Sequence, residues 1–194
     1  MSNVHGPRAI VPSLMQTASA SSLATKAALV VAGTLVIALA ARIQVPLWPV
    51  PATLQTLAIF AIAAAYGRNL AIWTLLAYLA EGAAGLPVFA QGGGLAYFAG
   101  PTAGYLAGFV VAAAITGAAA DRGWAFHPLK LFGANLAGEL VILALGAAWI
   151  ALAFGPEKAL AWGVGPFIVT DLIKIALAAA LVPAVAALLA KLRG

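Results

Sequence analysis

Residues 27–41 read AALVVAGTLVIALAA and contain no charged side chain. The same apolar character extends over the whole chain of 194 residues, which is 64% hydrophobic and 8% charged, with a mean hydropathy of +1.07. Since soluble domains carry about a quarter charged residues, this much apolar surface requires a lipid environment. A helical span takes about 20 residues, so the length allows roughly six to eight spans and leaves no room for a soluble enzyme or ATPase domain.

Stretches with few or no charges divide the chain into six predicted transmembrane helices, so we expect an all-α integral membrane protein. Residues 1–25 form a polar tail, and residues 26–194 form one membrane domain. The predicted spans cover residues 27–41, 52–66, 70–85, 101–120, 131–154 and 166–189. The predicted loops between them cover residues 43–51, 67–69, 87–100, 121–130 and 155–165, most of them rich in proline or glycine.

Basic residues are distributed unequally between the two predicted sides. One side carries Arg8, Lys26, Arg68, Arg122, Lys130, Lys191 and Arg193. The loops on the other side carry Lys158, and Arg42 stands at the rim of the first span. Because basic residues concentrate in cytoplasmic loops, both termini are predicted to be cytoplasmic. The alternative is a signal peptide ending at residues 38–40, but its polar region would be unusually long.

Five ionisable residues lie within or at the ends of predicted spans: Arg42, Glu81, Glu139, Asp171 and Lys174. A buried charge in a membrane is costly, so each is a candidate functional residue. Asp171 and Lys174 are three residues apart and share a helix face. They could form a structural salt bridge, a donor and acceptor couple for a ligand, or, with Glu81 and Glu139, a proton relay.

The predicted outward side carries most of the aromatic and glycine-rich loop sequence. Its aromatic residues are Trp48, Phe89, Tyr97, Phe98 and Tyr105. With the uncharged run Gln91-Gly92-Gly93-Gly94, they indicate a lid over an apolar pocket, and Gln55 stands near the outer end of the second span. The alternatives are an interfacial aromatic belt and a plain flexible loop.

Several chemistries are excluded by missing residue types. There is no cysteine, no lysine is followed by serine or threonine, and both histidines lie in predicted cytoplasmic segments. Disulfides, cysteine ligands and a Walker A loop are therefore excluded, and an enzyme is not predicted. A receptor subunit driven by partners remains, with a stand-alone proton-coupled carrier as the alternative and a purely structural subunit third.

Small residues recur every four positions in the first, fourth and sixth predicted spans. Such stripes allow helix backbones to approach closely in lipid, which explains them as internal packing. The stripe in the first span could instead dock the helix of a partner protein. The stripes comprise Ala24, Ala28 and Ala32; Gly100, Gly104, Gly108 and Ala112; and Ala176, Ala180 and Ala184.

Four sequence blocks, in order along the chain, resemble the family of BioY, the biotin-specific S component of energy-coupling-factor transporters. The blocks are Pro46 with PVPATLQTL at 49–57, YL at 78–79 with GLPVFA at 85–90, GPTAGYLAGF at 100–109, and PF at 166–167 with Asp171 and Lys174. The resemblance implies six helices, a pocket near the outer face of the bacterial inner membrane, and biotin as the ligand. It also implies a transmembrane coupling protein and two ABC-type ATPases as partners, so that ATP is used by those subunits and no cofactor is bound here.

The resemblance also assigns expected roles to residues. Asp171 is expected to accept a ureido N–H of biotin, and Lys174 to contact its carbonyl or carboxylate. Polar contacts from Gln55, Gln91 and the backbone of Gly92, Gly93 and Gly94 are expected to surround the ligand, with apolar walls from Trp48, Tyr78, Phe89 and Tyr105. The stripe Ala24, Ala28 and Ala32 matches a docking surface for the coupling protein. No nucleic-acid partner is expected.

Overall fold

The computed structural model describes Ile10 and residues 23–192. Two short strands, β1 (Gln44–Val45) and β2 (Ala52–Thr53), pair antiparallel, and two 3-10 helices cover Leu95–Ala99 and Trp124–Phe126. Most of the predicted tail at residues 1–25, like Arg193, lies outside the described residues. The α-helices between residues 23 and 192 are α1 (Leu23–Arg42), α2 (Gln55–Tyr66), α3 (Arg68–Ala83), α4 (Ala103–Asp121), α5 (Pro128–Phe154), α6 (Pro156–Gly163) and α7 (Ile168–Lys191).

Four helices in the described part of the chain, α1, α4, α5 and α7, are long and apolar enough to cross a membrane. Their outer faces expose large apolar side chains such as Leu35, Leu140 and Leu181, as expected for helices that face lipid. The chain is therefore a multi-pass membrane protein. Helices α2 and α3 have 12 and 16 residues. At about 1.5 Å per residue they are shorter than the roughly 30 Å hydrocarbon core, so six spans remain a prediction.

Several boundaries predicted from the sequence are wrong by two or three residues, such as the start of α3 at Arg68, and two segments have a different structure from the one expected. The second span was expected to begin at Ala52, but residues 52–53 form β2, and α2 begins at Gln55. Residues 52–53 pair with residues 44–45, and the Thr53 hydroxyl accepts a hydrogen bond from the Gln55 N–H at 3.2 Å, so the helix begins after them. The predicted loop at residues 155–165 contains α6, because Pro156 occupies a position at the start of a helix where proline is favoured.

The small residues of the fourth predicted span pack against α5. A Cβ atom at Gly104 would lie 2.3 Å from the Leu145 carbonyl oxygen, and one at Gly108 would lie 2.8 Å from the Ile142 Cα. Glycine at these positions therefore permits the close contact between α4 and α5, as the packing interpretation of this stripe predicted. In contrast, the stripe at Ala24, Ala28 and Ala32 lies on the exposed face of α1.

A buried polar link joins α4, α5 and α7 in the interior. The Thr116 hydroxyl donates to Asn135 Oδ1 at 3.2 Å, and Asn135 Nδ2 donates to the Ile175 carbonyl at 3.4 Å. Thr116 and Asn135 are both fully buried, and satisfied hydrogen bonds between helices fix their relative positions in a membrane protein. The link therefore positions the three long helices that contribute to the cavity described next.

Candidate functional site

A cavity opens at the end of the helix bundle formed by the loops around residues 43–54, 84–102 and 155–167. Its empty volume is about 490 Å³, with the open mouth included. Apolar lining comes mainly from Val50, Phe89, Leu106, Phe109, Ile142 and Phe167. The polar lining groups include Thr53, Gln55, Thr56, Thr102, Asp171 and Lys174. The cavity is thus apolar, with a few polar groups directed into it.

The charged end of the cavity is formed by Asp171 and Lys174 at the beginning of α7. Lys174 Nζ lies 2.5 Å from Asp171 Oδ1, and both residues are buried, with 7% and 4% of their surface exposed. Asp171 lies in the first turn of α7, where the helix dipole stabilises a negative charge. A buried ion pair beside an apolar wall leaves unused acceptors on the carboxylate and unused donors on the ammonium for a ligand.

A hydrogen-bonded chain holds Gln55 at the start of α2. Gln55 Nε2 donates to the Tyr78 hydroxyl at 2.8 Å, and that hydroxyl donates to the Val88 carbonyl at 2.8 Å. The Thr53 hydroxyl donates to Gln55 Oε1 at 2.9 Å. These bonds determine the orientation of the amide. Tyr78 is fully buried and does not line the cavity, so it supports Gln55 from behind.

Phe89 forms an aromatic wall together with the residues around it. Its ring lies 5.4 Å from the Tyr78 ring in an edge-to-face arrangement and 4.7 Å from the Tyr97 ring. Gly82 makes room for it, because a Cβ atom there would lie 2.0 Å from Phe89 Cζ. Gly82 on α3 therefore determines where the ring of the loop residue Phe89 lies at the cavity.

Tyr105 and Phe167 form the second aromatic wall, with ring centroids 5.7 Å apart. The Tyr105 hydroxyl donates to the Gly163 carbonyl at 2.7 Å, which links α4 to the end of α6. A Cβ atom at Gly146 would lie 2.2 Å from the Tyr105 ring, so this position of α5 requires glycine. The wall is thus built from three helices and the loop before α7.

The structure brings together some of the residues expected to bind the ligand and separates others. Gln55, Phe89, Tyr105, Asp171 and Lys174 line the cavity, and Tyr78 contacts two of them. Trp48, Gln91, Gly92 and Gly93 do not line it.

Trp48 is 71% exposed and belongs to an aromatic cluster beside the cavity. Its ring lies 4.8 Å from Trp162 and 6.1 Å from Phe154, and Lys158 Nζ lies 4.8 Å from the Trp162 ring. An exposed tryptophan in an aromatic cluster that includes a lysine contact is typical of a membrane interface. This placement is consistent with the interfacial aromatic belt, which was the alternative to a ligand contact in the sequence analysis.

The glycine run folds onto its own loop. The Gly92 N–H donates to the Phe89 carbonyl at 3.3 Å, and the Gly94 N–H donates to the Gly82 carbonyl at 2.7 Å. Gly92 and Gly94 have positive φ angles of 136° and 99°, which glycine adopts readily. Gln91 is exposed. The N–H groups of Gly92 and Gly94 are therefore used within the loop and at the end of α3 and do not face the cavity. Their hydrogen bonds hold the loop that carries Phe89.

Several lining residues were not singled out from the sequence: Thr56, Thr102, Phe109 and Phe167. Thr56 is the most informative, since its buried hydroxyl has no hydrogen-bond partner in the described residues. It stands next to Gln55 in the proline-rich block, but a threonine in a helix commonly bonds to its own backbone. The sequence therefore does not indicate that this hydroxyl lacks a partner among the described residues.

The arrangement suits a small molecule with an apolar body and polar groups at one end. Asp171 and Gln55 can accept N–H groups, and Lys174 and Thr56 can donate to a carbonyl or carboxylate. Among the described residues, no group of three or more His, Cys, Asp or Glu could hold a metal ion. These groups are able to form noncovalent contacts with an organic ligand.

Comparison with known proteins gives consistent matches over most of the chain. The model of the BioY family matches residues 13–191. The biotin transporter BioY of Thermotoga maritima is 38% identical over 150 residues, covering 75% of this chain and 86% of that protein. The probable biotin transporter BioY of Pyrococcus horikoshii is 38% identical over 139 residues, covering 71% and 82%.

A solved structure has the same fold. The crystal structure of the S-component for biotin from an ECF-type ABC transporter superposes with a TM-score of 0.73 at 23% sequence identity. The superposition covers 86% of this chain and 94% of that one.

Proposed function

The chain belongs to the BioY family, and we propose that it is the biotin-binding membrane subunit of an energy-coupling-factor transporter. The observation that carries the proposal is the buried Asp171–Lys174 pair at one end of a cavity with aromatic walls. The relatives named above as biotin transporters support the ligand, and the shared fold with a biotin S-component of an ECF-type ABC transporter supports this function over a stand-alone proton-coupled carrier.

The chemistry of biotin matches the cavity group by group. Its ureido ring offers two N–H donors and one carbonyl, its thiophane ring is apolar, and its tail ends in a carboxylate. In the proposed complex the free oxygen of Asp171 accepts a ureido N–H, while Lys174 and Thr56 donate to the carbonyl or carboxylate. Phe89 and Tyr105 enclose the thiophane. Charge-assisted hydrogen bonds in such a cavity provide both affinity and orientation.

The proposed orientation places the cavity at the outer face, with six spans and both termini in the cytoplasm. The unequal distribution of basic residues supports it. Because the chain contains no cysteine, single cysteines can test it with a membrane-impermeant maleimide in intact cells. Leu160→Cys and Leu129→Cys replace side chains that are 74% and 88% exposed at opposite ends of the bundle. Labelling of the first variant alone is expected, and labelling of the second alone would contradict the orientation.

Transport is proposed to require partner proteins. The chain has no Walker A motif, so a transmembrane coupling protein and two ABC-type ATPases would provide the energy for inward release. The exposed small residues Ala24, Ala28 and Ala32 on α1 allow close approach of a partner helix. We therefore assign the docking surface to this face of α1.

Calorimetry on the purified protein in detergent tests the binding function. Biotin should bind with one-to-one stoichiometry. Desthiobiotin, which keeps the ureido ring but lacks the thiophane sulfur, should bind more weakly, and thiamine and riboflavin should not bind. No heat with biotin, together with no protection from thermal unfolding, would refute the proposed function.

A further inference from the structure

Glu139 is a buried acid that the proposed ligand contacts do not use. It lies in α5 one turn before the lining residue Ile142, and 3% of its surface is exposed. Neither of its carboxyl oxygens accepts a hydrogen bond from any described residue. An ionised carboxylate buried without donors is strongly unfavourable, both in a protein interior and at membrane depth. The position of Glu139 therefore requires an explanation.

The charged side chains that interact electrostatically with Glu139 are Asp171 and Lys174 on α7, and the interaction with Asp171 is the stronger one. The cluster thus contains two acids and one base. Lys174 already donates to Asp171 Oδ1 at 2.5 Å, so Asp171 has its counter-ion and Glu139 has none. Two neighbouring carboxyl groups in one buried site disfavour ionisation of both.

The other helices packed against α5 supply no further counter-charge among the described residues. Helix α4 contributes Tyr105, whose hydroxyl is bonded to the Gly163 carbonyl. Helix α2 carries the neutral Gln55 and Thr56 at the cavity. The charged residues of α6 are Glu157, which is exposed, and Lys158, which lies against Trp162. A proton on Glu139 is therefore the simplest way to satisfy the cluster.

We propose that Glu139 is a neutral acid whose O–H donates to the Asp171 carboxylate, and that it is a positioning residue for the binding site. Asp171 then receives Lys174 on one side and Glu139 on another, which fixes the plane of the carboxylate. Its remaining lone pairs are directed at the cavity. The role in ligand binding rests on the proposed function, whereas the proton on Glu139 does not.

Infrared spectroscopy of the ligand-free protein tests the proton directly. The chain has five acidic residues, so a neutral carboxyl group gives an assignable C=O band. We expect this band at neutral pH in the unsubstituted protein, its loss in Glu139→Gln and its retention in Glu81→Gln. Glu81 is the matched control, because it lies in α3 and accepts a hydrogen bond from Thr34 at 2.9 Å. A band that survives Glu139→Gln would overturn the proposal.

Biotin affinity distinguishes a positioning role of Glu139 in the binding site from a role in helix packing alone. A glutamine Nε2 donates as the neutral acid does, so Glu139→Gln should retain affinity, whereas Glu139→Ala should weaken it about tenfold, as expected for a lost hydrogen bond to a charged group. The difference between these two variants should vanish in an Asp171→Asn background. Equal weakening by both variants, or a difference that persists without the Asp171 charge, would overturn the positioning role.

The two measurements also separate this proposal from the proposed function. If the unsubstituted protein bound no biotin, the proposed function would fail, and the infrared band would still decide the state of Glu139.

Discussion

Replacement of the Asp171–Lys174 pair separates a ligand site from a purely structural ion pair. Three variants are compared: Asp171→Asn, Lys174→Met and the double variant. Both residues are more than nine-tenths buried and their charged atoms lie 2.5 Å apart. Lys158→Met is the matched control, because its ammonium lies over the Trp162 ring, outside the cavity.

The structure predicts a specific order of stabilities. Removal of one partner leaves the other charge buried and unpaired, which costs about 3–5 kcal/mol. Removal of both charges leaves no such group, so the double variant should be more stable than either single variant. The thermal unfolding temperatures in detergent should therefore rank the double variant above both single variants, with Lys158→Met close to the unsubstituted protein.

Biotin affinity should follow a different order. A hydrogen bond to a charged group contributes about 1.5–3 kcal/mol, equivalent to roughly tenfold to hundredfold in Kd. Each single variant loses at least one such bond to the ligand, and the double variant loses the bonds of both side chains. Affinity should therefore stay low in the double variant although its stability recovers.

Calorimetry and thermal unfolding on the same preparations decide between the two roles. Stability that recovers without affinity is the expected result. If affinity returned together with stability in the double variant, the pair would be structural only, and the assignment of Asp171 and Lys174 as ligand contacts would be refuted.

Three further variants test the walls and the docking surface. Gly82→Ala should weaken biotin binding roughly tenfold, because its Cβ atom would lie 2.0 Å from Phe89 Cζ and overpacking costs about 1–3 kcal/mol; calorimetry that shows unchanged affinity would contradict this. Trp48→Ala should leave affinity unchanged, since the side chain is 71% exposed outside the cavity; a loss would make Trp48 a ligand contact. Ala28→Trp should retain biotin binding but prevent co-purification with the coupling protein. Leu140→Trp on α5 is the control and should leave co-purification unchanged. Equal yields of the complex from the two variants would refute docking on α1.

The helical class and most helix positions were predictable because apolar length and proline placement are local properties. The helix α6 and the strand pair before α2 were missed, since both depend on short segments with weak patterns. Pro156 was the available signal for α6, since proline is favoured at the start of a helix. Because proline is also common in loops, this signal did not distinguish the two. The start of α2 at Gln55 depends on the pairing of residues 52–53 with residues 44–45, which the sequence does not specify.

The charged end of the site was predictable, and its surroundings were less so. Asp171 and Lys174 share a helix face by spacing alone, and a buried charge in a span is conspicuous in a sequence. Whether Trp48 points into the cavity or toward the membrane interface depends on tertiary packing. The same holds for Thr56, whose free hydroxyl is recognised by the absence of a partner among the described residues.

A structure of the purified protein with biotin tests the central claim most directly. The ureido ring should lie within hydrogen-bond distance of Asp171 and the thiophane between Phe89 and Tyr105, in the cavity at the end of the bundle. Biotin bound elsewhere, for instance against Trp48 and the exposed aromatic cluster, with the cavity empty, would contradict the account.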